Sequence, residues 1–197
     1  MIRARPLVIV VTGSECTGKT TLALELAARF EAPCSHEFAR EYLERKAAPL
    51  VDADVEPIAR GQVEGEDAAM ARASDVVVKD TDLVSTVVYA RHYYSACPDW
   101  IARAARERLG DLYLLLHPDV PWVADGLQRD RPAERVRLHT LFSDRLRDVG
   151  ARVVDITGDW PARRALAFAA VESLLSRRGQ TRHRGRRRWG QTPSPPD

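Results

Sequence analysis

Residues 7–22 read Leu-Val-Ile-Val-Val-Thr-Gly-Ser-Glu-Cys-Thr-Gly-Lys-Thr-Thr-Leu. Leu7 to Val11 is an unbroken apolar run, the pattern of a strand buried on both faces. Residues 13–20 match GxxxxGK[ST] in full, and Leu22, Leu26 and Phe30 then recur every four residues, which predicts an amphipathic helix stopped by Pro33. A strand, a glycine-bearing loop and a helix in this order make a phosphate site. Gly13 and Gly18 permit backbone conformations that turn successive N–H groups inward around phosphate oxygens. The helix points its positive dipole end at the same anion. Lys19 can reach the β- and γ-phosphates of ATP, and the Thr20 hydroxyl can ligate Mg²⁺. The candidate ATP contacts are therefore Gly13, Ser14, Glu15, Cys16, Thr17, Gly18, Lys19, Thr20 and Thr21. Cys16, beside a helix N-terminus, is either redox-sensitive or a small passive side chain.

Outward from this stretch the segments alternate strand and helix, the signature of a parallel sheet covered on both faces. Strands are expected at 7–11, 34–38, 76–78, 112–116 and 152–156. Helices are expected at 22–30, 40–46, 56–73, 83–94, 98–109, 133–148 and 161–176, the last with Leu166, Ala170 and Leu174 on one stripe. The expected fold class is α/β, a P-loop NTPase with three layers and a central, mainly parallel five-stranded sheet. Residues 1–176 form one domain. From Arg177 the sequence is Arg, Gly, Gln and Pro with little to bury, so 177–197 read as an unstructured basic tail.

The 197 residues are 45% apolar and 29% charged, as in an ordinary globular protein. No apolar run approaches the roughly 18 residues of a membrane helix. The basic start before an apolar stretch imitates a secretory leader, but that stretch is short and leads into a chemical motif. Cys16, Cys34 and Cys97 are odd in number and widely spaced, which suits a reducing cytoplasm better than a disulfide framework. The five histidines (36, 92, 117, 139, 183) lack zinc-ligand spacing in sequence. Residues 177–197 hold 7 of the 30 basic and 1 of the 28 acidic residues. The tail thus carries +6, and the body, with 23 basic against 27 acidic residues, carries −4. Arg182, Arg184, Arg186, Arg187 and Arg188 with Trp189 are suited to nucleic-acid phosphates; the alternative is a solvated extension with no partner.

Asp80 and Asp82 close the strand at 76–78, and ligands of open parallel sheets bind beyond the carboxyl ends of the strands. Either acid can join the Mg²⁺ shell or accept the proton of an attacking hydroxyl. Asp82 also suits capping of the helix that follows.

Four segments together carry a resemblance: the phosphate loop, His36-Glu37-Phe38-Ala39-Arg40-Glu41-Tyr42, Asp80-Thr81-Asp82, and Pro121-Trp122-Val123-Ala124-Asp125-Gly126-Leu127. In order and spacing across 7–176 they resemble the kinase domain of NadR-type ribosylnicotinamide kinases. Cys16 stands where that family more often has Ser, and Gln128 where Arg is usual, with Arg129 next. The resemblance implies an ATP- and Mg²⁺-dependent transfer to the ribose 5′-hydroxyl of nicotinamide riboside.

The residues suit that substrate. Trp122 offers an aromatic face to a pyridinium cation, worth ~0.5–2 kcal/mol, or else packs in the core. Glu37, Glu41 and Asp125 can accept from ribose hydroxyls or face the positive ring, with Arg40 orienting them and Tyr42 beside them. As an alternative, 37–41 form a solvated charge cluster on a helix. Arg129 and Arg131 precede Pro132 as a lid would, where lid arginines neutralise the phosphoryl charge and expel water as catalytic residues, or they lie in a solvated loop. Residues 158–164 follow the last strand, where P-loop kinases hold adenine. The alternatives to this substrate are another nucleoside or metabolite, or a regulatory ATPase touching nucleic acid through the tail.

Overall fold

The computed structural model describes residues 5–122 and 134–188, with the side chains of 181–188 excepted. Five strands form one sheet: β1 (Leu7–Gly13), β2 (Cys34–Ser35), β3 (Val76–Asp80), β4 (Leu112–Leu116) and β5 (Val153–Ile156). Their spatial order is β2-β3-β1-β4-β5, and every pairing is parallel. The helices are α1 (Lys19–Arg29), α2 (Phe38–Lys46), α3 (Val55–Arg72), α4 (Leu83–Tyr94), α5 (Asp99–Glu107), α6 (Glu134–Asp148) and α7 (Trp160–Arg188). A 3₁₀ turn at Asp52–Asp54 lies in the loop before α3. Among the described residues no helix is long and apolar enough to cross a membrane.

The unbroken apolar strands are explained by two cores. Alternate side chains of the inner strands point to opposite faces. Val8, Val10, Val77, Tyr113 and Leu115 pack with residues of α3 to α6. Leu7, Ile9, Val11, Val76, Val78, Leu112, Leu114 and Leu116 pack on the other side with α1 and α7. This is the three-layer α/β arrangement of P-loop NTPases, with β1 at its centre.

Three boundaries differ from expectation. β2 stops at Ser35, because Phe38 begins α2 and packs its ring on Gly61 of α3. On α7 the buried stripe is Arg163, Ala167, Val171 and Leu174, whereas Leu166 is exposed. The expected stripe read the apolar letters and missed the arginine that sits in the same row. α7 also runs on through Arg177 to Arg188, where an unstructured tail is expected. Arginine and glutamine are good helix formers, so an existing helix propagates through them without needing anything to bury. Arg178 also donates to the main-chain carbonyls of Arg5 and Asp75.

The two glycines of α3 differ in kind. A Cβ on Gly61 would meet the Phe38 ring at 2.2 Å, whereas one on Gly65 meets nothing within 4 Å. Gly65→Ala should therefore raise the urea midpoint, by about 0.5–1 kcal/mol of stability. Gly61→Ala should lower it by about 1–3 kcal/mol through overpacking. Equal effects at the two positions would contradict this packing.

Candidate active site

The loop after β1 has the backbone that phosphate binding requires. Gly13 (φ 138°) and Gly18 (φ 87°) lie in regions that L side chains rarely adopt, and Cys16 (φ 54°) is also left-handed. A Cβ on Gly13 would sit 2.7 Å from the Leu116 carbonyl oxygen, and one on Gly18 would strike the Trp160 ring at 2.8 Å. Both glycines are thus fixed by sterics as well as by φ. Gly18 caps α1 without a side-chain hydrogen bond, leaving the first-turn N–H groups available to an anion. The Lys19 ammonium donates to the Ser14 carbonyl at 3.0 Å, folded over the loop it is expected to serve. The Thr17 hydroxyl donates to the same carbonyl at 2.8 Å. Glu15 faces the cleft described below, and Thr21 is exposed on α1.

The two aspartates part company. Thr20 donates its hydroxyl to Asp80 Oδ2 at 2.6 Å, and Asp80 Oδ1 is buried with no hydrogen-bond partner. A hydroxyl and a carboxylate with a spare buried oxygen, beside the phosphate loop, fit a magnesium ion. Asp82 has both oxygens occupied: Val84 N–H donates to one at 2.9 Å and the Tyr113 hydroxyl to the other at 2.6 Å. It is the N-cap of α4. Burial, and then the Glu66 carboxylate, push the Asp82 carboxyl up to about 6. Of the two acids expected to ligate metal or take a proton, only Asp80 has an oxygen to offer.

Thr81 between them is left-handed (φ 65°), a strained state for a β-branched residue. It is held by Thr81 N–H to the Val11 carbonyl at 3.0 Å and by Gln62 Nε2 to its own carbonyl at 3.4 Å. This turn lets Asp80 meet Thr20 while Asp82 meets Tyr113.

Arg163 fastens the loop from behind. Its side chain is fully buried, and it donates to the carbonyls of Thr17 (3.1 Å), Gly158 (2.8 Å) and His117 (2.7 Å), and to the Asp119 carboxylate. Arg135 of α6 adds a bond to the Cys16 carbonyl at 3.3 Å and one to Val120 at 3.0 Å. Arg135 stands in a charged run that reads as a solvated helix face, and Arg163 falls in the 158–164 segment expected near adenine, where spacing does not reveal that it clamps the loop.

Beside the loop opens a cleft of about 120 Å³ between α2, α3 and α4. Glu15, Glu37, Asp54, Gln62, Thr81, Ser85, Tyr89, Tyr93 and Tyr94 are among its walls. Tyr89 and Tyr93, one helical turn apart, lie with parallel rings 6.1 Å between centroids. Gln62 accepts from Phe38 N–H at 3.0 Å and so ties α2 to α3 at the cleft's edge. Burial alone would raise the Asp54 carboxyl, but hydrogen bonds from Lys46, Val51 and Tyr42 hold it below its usual range.

Of the expected substrate contacts, Glu37 lines this cleft. Tyr42 instead donates to Asp54 at 3.0 Å and braces the wall. Arg40 and Glu41 are exposed on α2, with Glu41 facing Arg45 at 3.8 Å. Trp122 is half-buried and is not among the described residues that line the cleft. Asp125, Arg129 and Arg131 lie outside the described residues. The aromatic wall came from Tyr89 and Tyr93, whose i, i+4 spacing after the Asp-Thr-Asp turn was the available signal.

A family profile described as AAA domain matches residues 8–163. The trifunctional NAD biosynthesis/regulator protein NadR of Salmonella typhimurium is 27% identical over 177 residues, which are 87% of this chain and 43% of that protein. A crystal structure of NadR in complex with NR superposes with a TM-score of 0.77 at 28% identity, covering 87% of this chain and 52% of that one. A second, of NadR with NAD and AMP-PNP, gives 0.75 at 26% identity, covering 87% and 50%. The chain spans about half, or less, of the length of these relatives.

The raised Asp82 carboxyl has a signed consequence. Its folded value near 6 stands above the ordinary 3.8, so its contribution to stability is full below pH ~4 and is lost as pH rises to ~6. Tyr113→Phe removes the hydrogen bond that favours the ionised form and should cost about 1–3 kcal/mol near pH 8. The loss should shrink toward pH 5, where the carboxyl is protonated. A pH-independent loss in denaturation curves would refute the pairing.

Proposed function

This chain belongs to the AAA domain family, and we propose that it is an ATP-dependent kinase that phosphorylates the ribose 5′-hydroxyl of nicotinamide riboside. The observation that carries the reading is the junction at Glu15: this residue of the phosphate loop also lines a cleft walled by acids and stacked tyrosines. An acceptor held there presents its hydroxyl to the nucleotide's terminal phosphate. The solved NadR complexes with NR and with an ATP analogue support this pairing of ligands.

The chemistry follows from the residues. The ring of loop amides and the first turn of α1 bind the triphosphate, and Lys19, released from the Ser14 carbonyl, reaches its β- and γ-oxygens. Thr20 and Asp80 would hold magnesium, which when bound neutralises charge on the phosphates. With the metal held by Thr20 and the phosphates alone, the spare Asp80 oxygen would instead be free to accept the hydroxyl proton. Phosphoryl transfer is loose, so positioning and charge matter more than the base. The pyridinium ring is recognised by tyrosine faces and carboxylates together. Trp122 and Asp125 remain proposed acceptor contacts, and Arg129 and Arg131 proposed cations for the transferring phosphoryl group.

An ADP-release assay across nucleosides and vitamins tests the reading. Stimulation by nicotinamide riboside is expected, and stimulation by a different nucleoside alone would reassign the acceptor. Absence of any acceptor-dependent turnover would overturn the kinase. Lys19→Ala should abolish transfer while the circular dichroism and unfolding midpoint stay near wild type. Tyr93→Ala should raise KM for the riboside by about 2- to 30-fold with a smaller change in kcat, the range of a cation–aromatic contact. An unchanged KM would remove that residue from the acceptor site.

A further inference from the structure

Outside the phosphate site, three metal-ligating groups converge at the carboxyl end of the sheet. His117 follows β4, Asp155 lies on β5 and His139 on α6, and one ligand atom from each lies within 4.8 Å of the other two. His117 Nε2 meets Asp155 Oδ1 at 2.9 Å, and the imidazole centroids of His117 and His139 are 4.0 Å apart. The parallel register produces this juxtaposition. Leu115 pairs with Asp155 and Leu116 with Ile156, so the ends of β4 and β5 lie side by side beneath α6.

A His–Asp hydrogen bond accounts for two of these residues but not for the third. Among the described residues His139 Nδ1 is buried without a hydrogen bond of good geometry, the Leu116 main chain lies close to the ring, and the ring touches a second imidazole. Two imidazoles in contact repel each other when protonated, and a buried polar atom left unpaired costs free energy. Burial and then the neighbouring His117 hold the His139 ring below the usual imidazole range, against the opposing pull of Asp155 and the Leu116 main chain. Two imidazoles and one carboxylate are a donor set for borderline divalent transition ions, whereas magnesium takes oxygen ligands. Asp155 is exposed, so a fourth position faces solvent. A tetrahedral ion of this kind wants ligand atoms ~3.4 Å apart, so small side-chain rotations bring the three into place.

We propose that His117, His139 and Asp155 bind a zinc-class divalent transition cation that fastens α6 to the ends of β4 and β5. The site touches the phosphate loop through two short paths. The His117 carbonyl accepts from Arg163, which also holds the Thr17 carbonyl, and α6 carries Arg135, which donates to the Cys16 carbonyl. The proposal stands whether or not the acceptor is nicotinamide riboside.

The test titrates the whole, metal-stripped chain with Zn²⁺ calorimetrically in excess Mg²⁺, and with Co²⁺ by absorption. One equivalent is expected, with visible Co²⁺ ligand-field bands and no thiolate charge-transfer band. Cys34 is pushed up to about 11, mainly by burial, and Cys97 is raised for the same reason, so neither thiol competes readily. Zn²⁺ should raise the unfolding midpoint of the wild type. His139→Ala and Asp155→Asn should each weaken binding about tenfold or more and abolish that rise. Should His139→Ala fail to fold, the exposed Asp155→Asn decides. No stoichiometric binding, unchanged affinity in the variants, or a thiolate band would overturn the site.

Discussion

A single buried guanidinium holds the end of this sheet together. Arg163 has no exposed surface, and a desolvated cation is tolerable only where every donor finds an acceptor. It finds them on three separate stretches of chain: the phosphate loop at Thr17, the segment after β4 at His117 and Asp119, and the turn before α7 at Gly158. The loop is therefore set before any nucleotide arrives, and its amides do not have to be ordered by the ligand. Trp160, against Gly18 and bonded to Glu25 at 3.2 Å, supports the same loop from the first turn of α7.

The ligand region is divided electrically. On one side lie Lys19, the open first turn of α1 and the loop amides, all favourable to a polyanion. On the other lie Glu15 and Glu37 with a tyrosine wall, favourable to a cation, while Asp54 there is already paired with Lys46. Behind the boundary, Lys79 and Glu66 form a buried pair at 2.5 Å, joined by Arg108 at 3.3 Å. Glu66 raises the Asp82 carboxyl and Lys79 lowers it, so the turn that carries Asp80 rests on a charge network as well as on the apolar packing of Val78, Leu83 and Val84.

What could be read from the letters follows from how local the cause is. The three inner strands showed as apolar runs because each is buried on both faces, and the phosphate loop showed because its glycines, lysine and threonine are contiguous. Asp80 and Asp82 looked equivalent, since nothing in spacing reveals that Thr81 adopts a left-handed backbone and turns them apart. Arg163 and Arg135 were hidden because a buried, fully bonded arginine and a solvated one have the same neighbours in sequence. Tyr89 and Tyr93 were hidden for a related reason: a tyrosine pair on an apolar helix reads as packing until the cleft beside it is seen. The His117–His139–Asp155 cluster depends on the pairing of β4 with β5 and on the placement of α6, so no spacing rule could have found it.

The strand order has a consequence for synthesis. β1 lies in the middle of the sheet, yet its neighbours β3 and β4 follow it by some seventy and one hundred residues. A nascent chain that emerges amino end first must carry the apolar Leu7–Val11 run without both flanks until Leu116 has left the ribosome. Sheets closed by such distant pairings form slowly and expose sticky edges meanwhile. The loop that grips the nucleotide, although it precedes its sheet partners in the chain, is among the last parts of this fold to become competent.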